Sequence, residues 1–325
     1  MIDHRLRVGT RGSQLSLRQT DLVVTALHRS APGATFEVVV IKTAGDRAPD
    51  VPLERLEGIG FFAKELEAAL LDGRCDLAVH SAKDLPTEVH PNLCLAALPP
   101  RDDPRDVLVD RAGGRLATLP SGARVATSSV RRSAQIRYHR PDLEPVSIRG
   151  NIDTRLAKLD RGACDALCLA GAGLLRMGWE DRIAEWLAPQ VLLPAPGQGA
   201  IAIEARRQDG GVVELVSRIN HPPTQTAVEA ERAFVARLGS GCRAPAAALA
   251  TVEGETVTLE GLVAVADGSI VRRHRASAPI AAAEHLGASV ADYLLAHAGF
   301  QLDPECPSGP SPLASAKARG RGGVG

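Results

Sequence analysis

The segment His80-Ser81-Ala82-Lys83-Asp84-Leu85-Pro86 sets an imidazole, a hydroxyl, an ammonium and a carboxylate close together behind the apolar run Leu77-Ala78-Val79. Asp84 is a candidate for acid–base or electrostatic work at a strand end. A turn ion pair with Lys83 accounts for the same residue, and simple packing accounts for His80. A second grouping is cationic. Between Ser121 and Arg161 stand Arg124, Arg131, Arg132, Arg137, Arg140, Arg149, Arg155, Arg161 and Lys158, against Asp142, Glu144, Asp153 and Asp160. Arg131 and Arg132 open a helix behind Ser128-Ser129, and Arg149-Gly150 leads into another helix that carries Arg155. Guanidinium grips carboxylate or phosphate bidentately, and the free amides of a helix N-terminus favour anions. A solvated charged face is the plain alternative, but convergence at two strand-to-helix turns favours a polyanion site. The third feature is Cys242 in Gly239-Ser240-Gly241-Cys242-Arg243-Ala244-Pro245. Small residues and a following proline resist regular structure, so the thiol is displayed on a loop, where Arg243 favours the thiolate. An inert buried cysteine is the competing reading.

Phosphate loops are not among these features. Gly58-x-Gly60 lacks a third glycine, and no G-x-x-x-x-G-K-[ST] occurs.

The elements that position these residues follow from hydrophobic period and caps. Strands are expected at Leu6 to Gly9, Phe36 to Ile41 and Cys75 to His80. Between them lie a helix capped by Ser13, carrying Leu15, Leu22, Val23 and Leu27, and a helix from Phe61 to Leu71. This βαβαβ order implies a mostly parallel sheet flanked by helices. The prolines of LPPRDDPRD mark a crossing to a second set: strand Arg124 to Thr127, helix Ser129 to His139, strand Val146 to Arg149, helix Asn151 to Leu159 and strand Ala166 to Leu169. LLPAPGQGA reads as a second crossing. A helix from Thr224 to Leu238, alternating runs at Ala246 to Val252, Thr256 to Val265 and Ser269 to Arg275, and a helix from Ala281 to Ala298 then imply a small antiparallel α+β unit. The tail from Pro304 is compositionally suited to disorder.

Length and composition agree with several domains: 325 residues exceed what one core usually serves. Thirty-eight basic and thirty-eight acidic residues cancel, so no global field draws the chain to nucleic acid or an anionic membrane. Only five of the basic residues are lysine, an arginine bias that genomic base composition accounts for in large part. The first thirteen residues lack an apolar signal region, and the longest apolar stretches, such as Ala166 to Leu175, are too short to span a bilayer. A cytoplasmic chain is expected. The six cysteines form no C-x-x-C pair, so neither a disulfide framework nor a metal site is expected, and Cys164 and Cys168 read as buried thiols.

Taken together, RVGTRGSQLSL, KTAGDR, GIGFFAKELE, HSAKDLPT, LPPRDDPRD, ATSSVRRSAQI, IRGNIDTRL, LLPAPGQGAIAIE and LGSGCRAP resemble the motif series of the porphobilinogen deaminase (hydroxymethylbilane synthase) family, collinear from about residue 5 to 300. The resemblance implies an α/β fold of two doubly wound domains like type II periplasmic binding proteins, with the site in their cleft, plus the small α+β domain with a three-stranded antiparallel sheet. It implies a first domain of residues 1–99 and 199–217, a second of 105–193 and a third of 222–303, leaving 304–325 as a tail. The implied reaction joins four porphobilinogens head to tail with loss of ammonia. The implied cofactor is a dipyrromethane held as a thioether on Cys242. Asp84 matches the catalytic carboxylate. The positions matching carboxylate and cofactor contacts are Arg11, Ser13, Ser81, Lys83, Thr127, Ser129, Arg131, Arg132, Arg149, Gly150, Arg155 and Arg176. The expected chain is a monomer with porphobilinogen as its partner and no metal. One departure is Ile59, where relatives often carry lysine, although Arg47 and Arg55 keep that segment basic. Two rival classes are weaker: an anion-binding protein has no use for Cys242, and a nucleotide- or phosphoribosyl-using transferase lacks its phosphate loops.

Overall fold

Ser13 starts the first helix as expected: its Oγ accepts from the Ser16 backbone N–H at 3.2 Å, capping α1 (Gln14–Ser30). Val23 and Leu27 of α1 are buried against Leu6 and Val8 of β1 (Arg5–Thr10). The computed structural model describes residues 5–42, 63–239 and 245–300, and the backbone of 311–312. In its first sheet β1 pairs in parallel with β2 (Thr35–Val40) and β3 (Leu77–Ser81). Beyond β3 the order continues through Ile201–Arg206 to β4 (Leu93–Ala97). The inserted strand, β10 in chain order, is antiparallel to both neighbours. The helix α2 (Lys64–Leu71) packs Leu66, Ala69 and Leu70 against Ala78 of β3. Its expected first residues, Phe61 and Phe62, lie outside the described residues.

The second sheet has at its centre β7 (Glu144–Ser147), β6 (Arg124–Ala126) and β8 (Ala166–Ala170), all parallel. It extends through β5 (Asp106–Asp110), antiparallel to β8, and β9 (Glu185–Trp186). Between these strands run α3 (Val130–His139), α4 (Ile152–Asp160) and α5 (Gly171–Met177). The sheets are mostly parallel, as expected, and in each a single strand next to a crossing, β10 in the first and β5 in the second, runs against its neighbours. The chain leaves the first sheet after β4 and enters the second at β5. It returns along β10, followed by α6 (Gly210–Ser217).

The two crossings lie side by side. Asp102 donates its backbone N–H to the Gly199 carbonyl at 3.1 Å, and Gln198 Nε2 donates to the Pro104 carbonyl at 2.7 Å. Gly199 has φ +85°, and a Cβ on it would stand 2.5 Å from the Asp102 carbonyl oxygen, so this approach requires glycine.

The third unit packs α7 (Pro222–Leu238) and α8 (Ala283–His297) on a meander of β11 (Ala246–Glu253), β12 (Thr256–Ala264) and β13 (Val271–Pro279). Phe234, Val257, Leu259 and Val290 fill its core. β13 begins and ends later than the expected Ser269 to Arg275, because its partner β12 reaches Thr256 and pairs through Pro279. One carboxylate fastens this unit to both crossings. Glu231 of α7, fully buried, accepts from Arg101 Nη1 at 2.7 Å, the Gly197 N–H at 2.6 Å and the Ala250 N–H at 2.8 Å. In the tail, Ser311–Pro312 forms a two-residue strand, β14, beside β7, where only disorder was expected. No helix among the described residues is long and apolar enough to cross a membrane.

Candidate active site

Between the two sheets lies a cavity of about 280 Å³, walled on one side by the end of β3 and the start of α1 and on the other by the turns into α4 and α5. β3 ends at Ser81, and a single 3₁₀ turn, Ala82–Asp84, aims Lys83 and Asp84 into the opening. Ala82 donates its N–H to the Ala200 carbonyl at 3.0 Å, which fixes this turn to the second crossing. Arg232 of α7 donates to the Pro86 and Thr87 carbonyls just beyond it. Asp84 is exposed to the opening. Lys83 reaches Gln198 Oε1 at 3.5 Å, and burial by the surrounding protein holds its pKa down at about 8. On the same wall stand Arg11 and Ser13.

The opposite wall carries Gly150 and, one turn into α4, Arg155. Arg155 Nε donates to the Gly150 carbonyl at 2.8 Å. Burial, compounded by the like charges of Arg132 and Arg149, drops its pKa to about 10. Arg132 also lines the cavity, with Nε and Nη2 on Asp106 Oδ1 at 2.9 and 2.7 Å. Arg176 reaches the edge of the cavity while bonded to Asp102 at 2.8 Å and the Gly199 carbonyl at 2.7 Å.

Of the expected site residues, the cavity brings together Arg11, Ser13, Ser81, Lys83, Asp84, Arg132, Gly150, Arg155 and Arg176. Four others stand behind its wall. Thr127 is fully buried, its Oγ1 accepting the Ser129 N–H, and Ser129 caps α3 through the Arg132 N–H. Arg131 Nη1 is bonded to Asp106 at 2.7 Å and to the Leu193 carbonyl at 2.6 Å. Arg149 lies just past β7 and gives its carbonyl to Lys158 Nζ. Cys242, like Arg47, Arg55, Ile59 and Arg243, lies outside the described residues. The ends of its loop are placed, however. Gly239 closes α7, and Ala248 of β11 donates to the Pro194 carbonyl at 3.2 Å on the second crossing.

Three polar residues that sequence reasoning passed over complete the site. Gln19, buried on α1, donates Nε2 to Ser81 Oγ at 2.9 Å. Its position midway between Leu15 and Val23 on the apolar face was a readable signal, because a polar residue in a core stripe needs a partner. Gln198 bridges Lys83 and Arg132 through Oε1 and donates Nε2 to Asp106 at 2.9 Å. Asp106, fully buried, is held down at about 2: burial opposes its charge, but the flanking Arg131 and Arg132 outweigh it. No local signal marked Asp106.

The cavity therefore presents cations to its contents, and Arg155 and Lys83 are placed where burial alone disfavours their charge. Such a wall fits a ligand bearing several carboxylates, as a dipyrromethane with acetate and propionate arms does. Among the described residues no group of three or more side chains is arranged to hold a metal ion.

Comparison with known proteins accords with this chemistry. Residues 6–214 match the family model "Porphobilinogen deaminase, dipyromethane cofactor binding domain", and residues 225–296 match "Porphobilinogen deaminase, C-terminal domain". The chain is 46% identical to a porphobilinogen deaminase of Syntrophotalea carbinolica over 96% of this chain and 99% of that one. It is 49% identical to that of Syntrophobacter fumaroxidans over 91% and 96%. Among solved structures, a TRAP periplasmic solute binding protein from Pseudomonas putida F1 is similar over 67% of this chain and 78% of that chain, at 9% identity and a TM-score of 0.38. The chain belongs to the porphobilinogen deaminase family: it is a transferase of tetrapyrrole biosynthesis that carries a dipyrromethane cofactor and joins four porphobilinogens, with loss of ammonia, into linear hydroxymethylbilane.

Proposed function

We propose that Asp84 is the catalytic carboxylate and that Cys242 anchors the cofactor. The observation that carries this is the placement of Asp84, an exposed carboxylate entering a cavity whose other charged wall residues are, apart from His80, lysine and arginine. Arg11, Ser13, Ser81, Lys83, Arg132, Gly150, Arg155 and Arg176 hold the carboxylate arms of substrate and cofactor. Thr127, Ser129, Arg131 and Arg149 act from behind, Thr127 and Ser129 by setting the start of α3 and Arg131 by sharing Asp106 with Arg132. When bound, the cofactor supplies the pyrrole carbon to which the first substrate ring is joined.

The chain's own work is electrostatic. As ammonia leaves porphobilinogen, positive charge grows at the methylene carbon and over the ring N–H. A carboxylate fixed beforehand at Asp84 helps that charged state more than the neutral one. Gln19 and Gln198 hold Ser81 and Lys83 in register with it. For Cys242, sulfur bonds to a methylene carbon as the carbon–nitrogen bond breaks and ammonia departs, the reaction of a soft thiolate. The third unit's bonds to the second crossing support delivery of this loop toward the cleft. We further read residues 1–99 with 199–217, 105–193 and 222–303 as three domains, and the protein as a cytoplasmic monomer.

The test is twofold. Intact mass of the purified protein should exceed the sequence mass by two porphobilinogens less two ammonias, and Cys242→Ser should return the bare mass while Cys164→Ser keeps the addition. Asp84→Asn should fold, carry cofactor and release ammonia on the order of a hundred- to a thousandfold more slowly in a single turnover. An active wild-type chain at its bare mass defeats the first assignment, and a wild-type rate in Asp84→Asn defeats the second.

A further inference from the structure

Gln198 stands where Lys83, Arg132 and Asp106 converge, and it is the uncharged member of that group. It belongs to the second crossing, is only 1% exposed and lies behind the cavity wall. Its partners fix which way the amide points. The Pro104 carbonyl at 2.7 Å and the ionised Asp106 carboxylate at 2.9 Å can only accept, so both face Nε2. Oε1 is thereby turned the other way, toward Lys83 Nζ at 3.5 Å and Arg132 Nη2 at 3.4 Å. Those cations can only donate, and a neutral carbonyl dipole is all that this side chain offers them.

The backbone that delivers this side chain is closely held. Gly197 has φ +72°, and a Cβ on it would stand 3.0 Å from both the Ala82 carbonyl carbon and the Lys83 nitrogen. The Gln198 carbonyl accepts from Arg101 Nε at 2.8 Å, and its N–H donates to the Ala195 carbonyl at 3.0 Å. An exchange at the end of the side chain therefore changes the charge set against the cations more than it changes their places. The local charge balance gives that exchange its meaning. Lys83 is faced by Asp84 on its own turn, by Arg131 and Arg132 of α3 and by Asp106 of β5. Asp106 is already divided, its Oδ2 on Arg131 and its Oδ1 on Arg132, both at 2.7 Å. The substitution Gln198→Glu would place a second buried anion within reach of Lys83 and Arg132. It would complete inside the protein a pairing that the cavity otherwise leaves to a ligand.

We propose that Gln198 is the positioning residue that sets the cleft's selectivity for anions: its neutral amide holds Lys83 and Arg132 from the second crossing while leaving their charge to the carboxylate arms of cofactor and porphobilinogen. Selectivity for a charged ligand then depends on a residue that has no charge and acts only through its neighbours. The inference rests on the reading given above, in which Lys83 and Arg132 hold those arms, so Lys83→Gln is measured beside it.

The test joins a spectroscopic readout to a binding one. The chain has only five lysines, at 42, 64, 83, 158 and 317, so ¹³C-lysine NMR of the holoenzyme is simple, and Lys83 is the signal lost in Lys83→Gln. Two substitutions should push its titration midpoint in opposite directions. In Gln198→Glu the midpoint should rise by about one pH unit or more, because the ammonium gains a fixed anion. The fraction of purified chains carrying the cofactor mass should fall, and KM for porphobilinogen should rise about ten- to a hundredfold. In Gln198→Met, similar in length but without the amide dipole, the midpoint should fall by about half a unit and KM should rise only several-fold. Opposite shifts support the proposal, because loss of a merely structural residue moves the midpoint the same way in both variants. Shifts in one direction overturn it, as does Gln198→Glu with wild-type KM and cofactor content. If Gln198→Glu does not fold, Gln198→Met decides alone, and a midpoint that stays or rises overturns the proposal. If Lys83→Gln weakens binding while the two Gln198 variants fail to separate, only the role of Gln198 falls; if Lys83→Gln binds porphobilinogen as the wild type does, the underlying reading falls.

Discussion

Arg132 and Arg155 face the same cavity from the same sheet, both set near helix N-termini and both surrounded by protein, yet their charges are treated in opposite ways. Burial works against Arg132, but Asp106 outweighs it and the guanidinium is held above its ordinary value. Arg155 makes no ion pair with a carboxylate among the described residues, and burial with two neighbouring arginines lowers it to about 10, against the weaker opposing charge of Asp84. The difference is one aspartate. A buried cation with its anion built in contributes to the fold, and removing the anion is costly. A buried cation without one is a standing electrostatic debt that an incoming carboxylate relieves. The contrast separates the cationic positions into those that shape the wall and those that grip what enters.

Exchanging the two situations gives the largest expected effect. Asp106→Asn leaves Arg131 and Arg132 facing each other with no anion, and should destabilise the protein by about 3–5 kcal/mol in urea unfolding. Arg155→Gln should do the reverse. Stability stays level or rises, while porphobilinogen binding, followed by calorimetry in an Asp84→Asn background, weakens by about 1.5–3 kcal/mol. A loss of stability in Arg155→Gln would erase the distinction. Lys83 sharpens it through pH. Its folded pKa of about 8 lies below its ordinary 10.5, so the fold disfavours the charged form. Stability from this group is lowest below about pH 8 and recovers as pH rises toward 10.5. Affinity for carboxylates should move oppositely, dropping roughly tenfold as pH passes through 8, and Lys83→Arg should abolish that drop. The smallest effect is expected at Arg182, whose pairing with Asp160 at 2.6 Å is exposed on both sides. Arg182→Gln should change stability by no more than about 0.5 kcal/mol and leave binding alone.

Much of this architecture was legible because local rules and the fold agree. Ser13 caps the helix it was expected to cap, the helix expected from Ser129 starts one residue later with Ser129 as its cap, and the strands at Leu6, Phe36, Arg124 and Ala166 fall within a residue or two of their expected starts. What escaped was long-range pairing. Ile201–Arg206 was not among the expected strands, and nothing within it says that its neighbours are β3 and β4, more than a hundred residues upstream in the chain. The same holds at the site. Arg131 and Arg155 look alike in sequence, each a cation near the start of a helix, and only Asp106, 25 positions before Arg131, makes one of them a wall residue. Gln198 likewise gains its meaning from Lys83 and Arg132, which approach it from different sheets. Cys242, expected to be a displayed thiol from its small neighbours, lies outside the described residues, and its attachment is a matter for the mass measurement.

The paired crossings bear on how the two sheets can move. A single connecting strand acts as a swivel, free to bend and to twist. Two connectors running alongside each other, cross-linked where Asp102 meets Gly199 and where Gln198 meets Pro104, resist twisting and leave bending as the soft direction. Glu231 then pins the third unit to both connectors at once. The mechanical result is that of a door hung on two hinges with a handle fixed at the jamb. Any swing of the cleft walls would then follow one arc, with the third unit kept at the hinge line by Glu231 and beside the turn that carries Asp84 by Arg232.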